Sequence, residues 1–562
     1  MVGGAFQPMA DDEQDRMGHG DQRTLPPGGV TASRRPSAIG IEAMLRKAFS
    51  FPAFIGAMVS VAAVAATVWR KSPIIAGKLF VEGDTWWHLA VGERILSTHT
   101  WPTADPYSFT MRGAPWIAYE WLGEVVMAIA DRLGGLQGLA ALLVLLAITL
   151  ALLIYYYAWL RSGNPLAAGA ATVLVMPVVG ASLTMRPQVI GFIFLTVTLI
   201  YLERYQQGRS KSLWILPVVF LVWVNTHGSF ILGFLVLGLY WVSGLVEFRS
   251  GFLMASRWTS EQRRHLLAVT LLCLVAVTLT PYGTQLAAYP LELVLRHGLA
   301  MRFVVEWQPL SFAAPYGKAF LFLLLVALLA QVASPVLHRL ETLVLVMLLV
   351  AESCLHARFI IIFAIVFAPV LASLLACWLP RYRSAEDHPV VNGLLVAAVV
   401  VGVVALFPSR TKLRQMLARN WPVGAVQYLR RHPVAGNMFN TDLWGSYLIW
   451  AMPGHGVFID GRFDIYEYGG VLLDFYKLKH LRGNPHLFLG RYDINSALVQ
   501  RGTTVGNYFA ALPGWHKVYE DRNSVIFTRL GPPGLSHGAK LPEPTRASKP
   551  SAARPLARRL HG

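Results

Sequence analysis

Charge is what this chain has least of. Lys, Arg, Asp and Glu make up 14% of its 562 residues, against roughly 25% in an ordinary soluble domain. Cysteine is almost missing as well. Cys273, Cys354 and Cys377 lie in or beside apolar blocks without metal-ligand spacing, so neither a disulfide framework nor a zinc site is implied. No P-loop, dinucleotide fingerprint, nucleophile elbow or HExxH pair occurs, which disfavours an ATPase, a dehydrogenase, a serine hydrolase or a zinc protease. What fills the chain instead is apolar. Hydrophobic residues make up 55% of it and the mean hydropathy is +0.47, an excess that arrives in blocks long enough to cross a bilayer.

The formal charge of +18 does not point to nucleic acid, because the basic residues are scattered through short loops and both ends of the chain. In a membrane protein Lys and Arg collect on the cytoplasmic side. Residues 1–48 are polar and rich in Gly and Pro, without the charge-then-apolar pattern of a cleaved signal. They read as a disordered cytoplasmic tail, with Arg34, Arg35, Arg46 and Lys47 just before the first span. Apolar blocks follow at 52–69, 136–160, 166–182, 187–203, 213–224, 229–248, 266–281, 318–334, 340–353, 359–379 and 390–407.

These blocks predict a mainly α fold, a polytopic transmembrane bundle of about eleven spans. With the N-terminus inside, the cytoplasmic loops are 161–165, 204–212, 249–264, 335–339 and 380–389, which carry Arg161, Arg204, Arg209, Lys211, Arg249, Arg257, Arg263, Arg264, Arg381 and Arg383. The opposite short loops, 183–186, 225–228 and 354–358, hold only Arg186 and Arg358. An odd number of spans then puts everything after 408 outside. The transmembrane part covers 49–408 and includes a large outer loop, 70–135. Its Trp86, Trp87, Trp101, Trp116 and Trp121 suit helices lying in the membrane interface.

Residues 409–530 alternate helix-like stretches (422–431, 444–452, 465–481, 503–511) with strand-like ones (457–461, 494–499, 516–520, 524–529). They predict a small soluble α/β domain on the outer side. Residues 531–562, Pro-rich and basic, read as a disordered tail.

On this topology the unusual polar residues sort to one side. The outer loop holds Asp84, His88, Asp105, Glu120 and Glu124. Later outer turns hold Arg186 and Gln188, Asn225 and His227, Glu306, and His356 with Arg358. Ionisable groups at membrane borders are costly and tend to face cavities, so the pattern predicts one composite outer pocket. Asp84 is placed to cap a helix, with His88 on the same face one turn later. Glu120 and Glu124 share a face of the next helical stretch. Carboxylates from two elements suit a general base for a hydroxyl acceptor or a divalent-metal site. Arg186, Arg358, His227 and His356 suit a lipid phosphate or diphosphate leaving group. Plainer roles exist for each: helix cap, solvated charge, or guanidinium reaching for headgroups. Further on, the run Asp460-Gly461-Arg462 reads first as a turn with a structural ion pair.

The segments EGDTWWHLAVGERIL, ADPYSFT and PWIAYEWLGE, set between a first span and many short-loop spans, resemble the glycosyltransferase C superfamily. Those multi-span enzymes take sugar from a polyprenyl-phosphate carrier. The resemblance implies that Asp84, the acid just outside the first span, is catalytic, with Glu120 as second acid and Asp105 its rival. The tandem acidic pair of several branches is absent, since Thr85 follows Asp84. Metal use is therefore open, with Asp84 and Glu120 the ligands if a divalent Mg or Mn ion takes part.

The implied partners are a polyprenyl-phosphate sugar, membrane lipids and an acceptor of unknown class, in a bacterial inner membrane with the outer side periplasmic. Two other readings stand beside this one, a transporter or flippase of a lipid-linked glycan and a non-catalytic envelope assembly protein.

Overall fold

The computed structural model describes residues 49–68, 81–296, 298–334 and 336–529. The expected tails 1–48 and 531–562, and residues 70–80 at the start of the outer loop, lie outside these. Every apolar block of the sequence forms a helix. Helix α1 (Phe51–Val68) precedes two outer-loop helices, α2 (Asp84–Thr98) and α3 (Trp121–Gly134). The apolar series continues through α4 (Leu136–Ser162), α5 (Pro165–Ala181), α6 (Gln188–Gln206), α7 (Leu216–Thr226) and α8 (Phe230–Ser243). A ribbon of β1 (Phe248–Ser250) and β2 (Leu253–Ala255) leads to α9 (Ser260–Ala276), α10 (Thr284–Arg296) and α11 (Gly298–Phe303). Then come α12 (Pro315–Ala333), β3 (His338–Arg339), which pairs with β2, and α13 (Leu340–Leu355), α14 (Ile360–Leu375) and α15 (Pro389–Leu406).

The chain's own signals set the helix starts. Asn164 accepts from the Leu166 and Ala167 amides ahead of α5, with Pro165 in its first turn. Thr259 and Gln262 form a reciprocal capping box at α9. Helix α14, buried on almost every side, packs against α4, α5 and α13, as a helix apolar all round should. Among the described residues, four helices are long and apolar enough to cross a membrane: 136–162, 188–206, 315–333 and 357–375. A fifth follows if α15 and α16 (Arg410–Asn420), bent by 53°, make one span. The remaining apolar helices are shorter than a full crossing.

Beyond α16 lie α17 (Val423–Arg431), β4 (Asn437–Asn440), α18 (Asp442–Ala451), α19 (Phe463–Tyr468), α20 (Val471–Lys479), α21 (Pro485–Arg491), β5 (Ile494–Gln500), α22 (Thr504–Ala511), β6 (Trp515–Glu520) and β7 (Ser524–Arg529). The four strands form one mixed sheet in the order β4–β5–β7–β6, parallel between β4 and β5 and antiparallel elsewhere.

Three features differ from the sequence reading. Residues 457–461 are no sheet strand. Their backbone is claimed by the Asn440 side chain, which accepts from Phe458 N at 2.8 Å and donates to Ile459 O at 2.7 Å, and by the outer-loop backbone at Tyr107 and Phe109. The stretch 465–481 is two helices, broken at Gly469–Gly470, where Gly470 takes φ +71°. Finally, Trp86, Trp87 and Trp116 do not lie in an interface. They are buried in a second core shared with the C-terminal region, where Trp86 meets Trp421 and Tyr447 edge-on at centroid distances of 5.6 and 5.4 Å. The outer loop and the C-terminal region are thereby packed as one body.

Candidate active site

Helix α2 carries the first acid. Gly83, not Asp84, occupies its N-cap position, and Asp84 lies in the first turn. Its carboxylate is thus not spent on capping. Oδ1 accepts from the Trp87 indole at 3.1 Å, and Oδ2 stands 3.3 Å from Arg186 Nη2. Thr85 Oγ1 donates to the Met185 carbonyl at 2.9 Å, pinning α2 to the loop that brings Arg186. Helix α3 crosses α2 so tightly that a Cβ at Gly92 would overlap the Glu124 carbonyl, and this approach carries Glu120 and Glu124 to His88.

The result is a buried acid–imidazole chain. Glu124 Oε1 is 2.9 Å from His88 Nδ1, and Glu120 Oε2 is 3.4 Å from His88 Nε2. The other Glu120 oxygen lies 3.3 Å from Nε2 of His227. His227 Nδ1 accepts from the Ser229 amide at 3.0 Å, so its ring proton sits on Nε2, towards Glu120. Burial holds both imidazoles neutral, His88 well below its usual range and His227 down to about 3, helped by Arg186 for the first and by Arg358 and Arg186 for the second. Burial also raises Glu124 well above the carboxylate range, with Glu120 adding to it, and pushes Glu120 up to about 8 against the pull of Arg186. Glu124 and Glu120 thus face the two ring nitrogens of His88 from opposite sides of the imidazole. Asp84 is raised too, by burial more than Arg186 lowers it.

Two guanidinium groups complete the site. Arg186 also pairs with Glu306, Nη1 to Oε1 at 2.8 Å. Arg358 stacks over the Trp307 ring at 4.3 Å and makes no ion pair among the described residues. Asp84, His88, Glu120, Arg186, Gln188, His227, Glu306 and Arg358 line one cavity of about 460 Å³, walled on another side by Ile231, Leu291, Val294 and Val305.

The chain is similar to an archaeal oligosaccharyltransferase. The apo Archaeoglobus fulgidus enzyme matches at 13% identity over 82% of this chain and 71% of that one, with a TM-score of 0.48. The same enzyme tethered to an acceptor peptide containing an NVT sequon matches at 12%, over 80% and 69%, with a TM-score of 0.49. A third match, with a TM-score of 0.45 and 12% identity, is AglB of that organism in complex with an inhibitory peptide and a dolichol-phosphate. No family model and no curated protein matches the chain.

Four of the residues singled out from the sequence lie outside the cavity wall. Glu124 stands behind His88. Asp105 is locked to Arg462 Nη1 at 2.8 Å and to the Tyr107 and Ser108 amides. Asn225 accepts from the Trp121 indole at 2.8 Å and donates to Leu221 O. His356 binds Glu352 one turn back, at 3.1 Å. The cavity also has a wall that the sequence reading missed: Tyr119 stacks on Tyr289 at 4.3 Å, Tyr289 donates to Asp464 at 2.9 Å, and Gly461 and Phe463 adjoin them. Gly461, Phe463 and Asp464 had a signal, in the polar run 458–464 that includes Asp460-Gly461-Arg462; Tyr289 had none.

Among the described residues no three His, Cys, Asp or Glu side chains are grouped so as to hold a metal ion. Asp84 is turned to a guanidinium and an indole, and Glu120 to two imidazoles.

Proposed function

We propose that this chain is a membrane glycosyltransferase that moves a sugar from a polyprenyl-phosphate carrier to an acceptor, working on the outer face of a bacterial inner membrane. The observation that carries the reading is a single cavity in which raised carboxylates face guanidinium groups beside an apolar wall. A transfer at the anomeric carbon needs these parts. The acceptor hydroxyl gives its proton to Asp84 as its oxygen bonds to the sugar C1. The bond from C1 to the phosphate oxygen breaks, and its electron pair leaves on the phosphate. Arg358, which makes no ion pair among the described residues, and Arg186 meet that charge. A raised carboxyl is a better proton acceptor than an ordinary one. Glu120, backed by His88 and His227, is the second base of the site.

The apolar wall suits the carrier's chain. Leu291, Val294 and Val305 line the cavity yet are 55%, 53% and 79% exposed, surface that a lipid would cover. The acceptor enters from the side where Phe463 and Asp464 of the C-terminal region form the wall.

The test is release of the lipid phosphate by purified protein in detergent, offered a panel of polyprenyl-phosphate sugars and followed by mass spectrometry. Asp84→Asn should lower turnover by about 10²–10⁴-fold while the protein stays folded. Equal release by both proteins would remove Asp84 from the reaction. No release with any donor and a crude acceptor mixture would overturn the transferase reading.

A further inference from the structure

The backbone behind Asp84 is not part of its own helix. It is the Asp460-Gly461-Arg462 turn of the C-terminal region, some 380 residues away in sequence. A Cβ on Gly461 would overlap Asp84 Oδ1, and would stand 3.1 Å from Ser446 Oγ and 3.2 Å from Trp87 Nε1. The turn therefore touches both the carboxylate and the indole that donates to it. Only a residue without a side chain leaves room for that carboxylate where it now lies.

The turn is held rigidly. The Gly461 amide donates to Ser446 Oγ on α18 at 3.0 Å, and α18 packs directly against α2. Arg462 is 1% exposed. Its Nε and Nη2 donate to the two Asp460 oxygens at 2.8 and 2.7 Å, and its Nη1 reaches Asp105 Oδ1 at 2.8 Å. Tyr466 Oη donates to Asp460 at 2.5 Å, and the guanidinium lies over Trp116 at 4.7 Å. A planar guanidinium held by two bonds to Asp460 and ion-paired with Asp105 fixes orientation as well as distance.

We propose that Gly461 is a positioning residue for Asp84, and that the buried Asp460–Arg462–Asp105 cluster fixes the turn that carries it. The C-terminal region would then do more than wall the cavity, because it would set the direction of the acid on which transfer depends. This rests on the transferase reading given above.

The test compares full-length wild type with Gly461→Ala, and with Gly490→Ala as a control, because a Cβ at Gly490 meets nothing within 4 Å. Displacing a reacting group by about 1 Å costs on the order of 10²-fold. Gly461→Ala should lower kcat on that scale with the donor KM little changed, and Gly490→Ala should lower neither. In an Asp84→Asn background, Gly461→Ala should add no further loss. An unchanged kcat, or a loss that multiplies with that of Asp84→Asn, would overturn the proposal. If Gly461→Ala does not fold, Ser446→Ala frees the same turn, and there full activity overturns it. If wild type transfers nothing, the transferase reading fails by itself. Labelling of Asp84 by a hydrophobic carbodiimide, read by peptide mass spectrometry, then decides the placement: faster labelling in Gly461→Ala supports it, and an equal rate overturns it.

Discussion

Glu120 is held between two imidazoles that burial keeps neutral, so neither ring offers it a positive charge, and burial with the nearby Asp84 lifts its carboxyl to about 8. As the second base of the site it acts only when ionised. Turnover should therefore rise with pH to a midpoint near 8, and Glu120→Gln should lose that limb, as a pH–rate profile would show. Stability moves the other way. With its folded pKa above the unfolded 4.5, Glu120 stabilises the fold fully below that value, and the contribution is lost as pH rises through 8. Above pH 7 the imidazoles are neutral in both states, so from 7 to 8 wild type should lose roughly 1 kcal/mol per pH unit that Glu120→Gln keeps. Melting curves at the two pH values would measure this.

Arg358 answers to a different assay. A charge-assisted bond to a phosphate contributes about 1.5–3 kcal/mol, so Arg358→Ala should raise the donor KM by roughly 10–100-fold, with Arg358→Lys in between. Both residues were legible in the sequence because an ionisable group beside an apolar block is conspicuous. Tyr289 was not, since an aromatic on an amphipathic helix looks the same whether it faces a cavity or lipid.

Between elements, the informative tie is the one from Asp105 in the outer loop to Arg462 in the C-terminal region. Removing one partner of a buried ion pair costs about 3–5 kcal/mol, because the other charge stays buried without it. Asp105→Asn should lower the melting temperature in detergent accordingly. The double variant with Arg462→Met should lose more still, since it also strips the buried Asp460 carboxylate of the two bonds Arg462 donates to it. An unchanged melting temperature in the single variant would mean that the two regions hold together through apolar packing and the backbone bonds between 107–109 and Val457.

This tie also shows where sequence reading stops. The apolar helices were legible because each carries its own signal in length and hydropathy, and α5 and α9 announce their caps. Strand β4 has four residues, too few for alternation to show, and 457–461 stays out of the sheet because Asn440 and the outer loop take up its backbone bonds. The burial of Trp86 depends on Trp421 and Tyr447, more than 300 positions away, and an aromatic looks identical in sequence whether its partner is a headgroup or another ring.

At the scale of the molecule, polar clusters gather at the two ends of the helices. At one end Arg161, Glu203, Gln206 and Arg339 join the ends of α4 and α6 to the start of α13, with Glu203 accepting from Arg339 at 3.0 Å. Asn164, at the turn after α4, donates to the carbonyl of Pro380 at 2.9 Å, which brings the loop after α14 to this same end. At the other end lie Arg186, His227, the Cys354–Arg358 turn and the second core. The bilayer's hydrocarbon has to lie between them, since charges cannot rest within it unpaired. The basic loops belong to the first end, which the positive-inside rule would make cytoplasmic, and on the proposed topology an odd number of crossings would carry the C-terminal region to the opposite face. Single cysteines test this after Cys273, Cys354 and Cys377 are changed to Ser. Ser384→Cys and Arg522→Cys both fall at exposed positions, one in the loop after α14 and one in the β6–β7 turn. In right-side-out vesicles a membrane-impermeant maleimide should label Arg522→Cys at once and Ser384→Cys only after detergent is added. Labelling of both without detergent would require an even number of crossings between residue 384 and the sheet, and the reverse pattern would turn the site to the cytoplasm, where a cytosolic sugar nucleotide would become the donor to test.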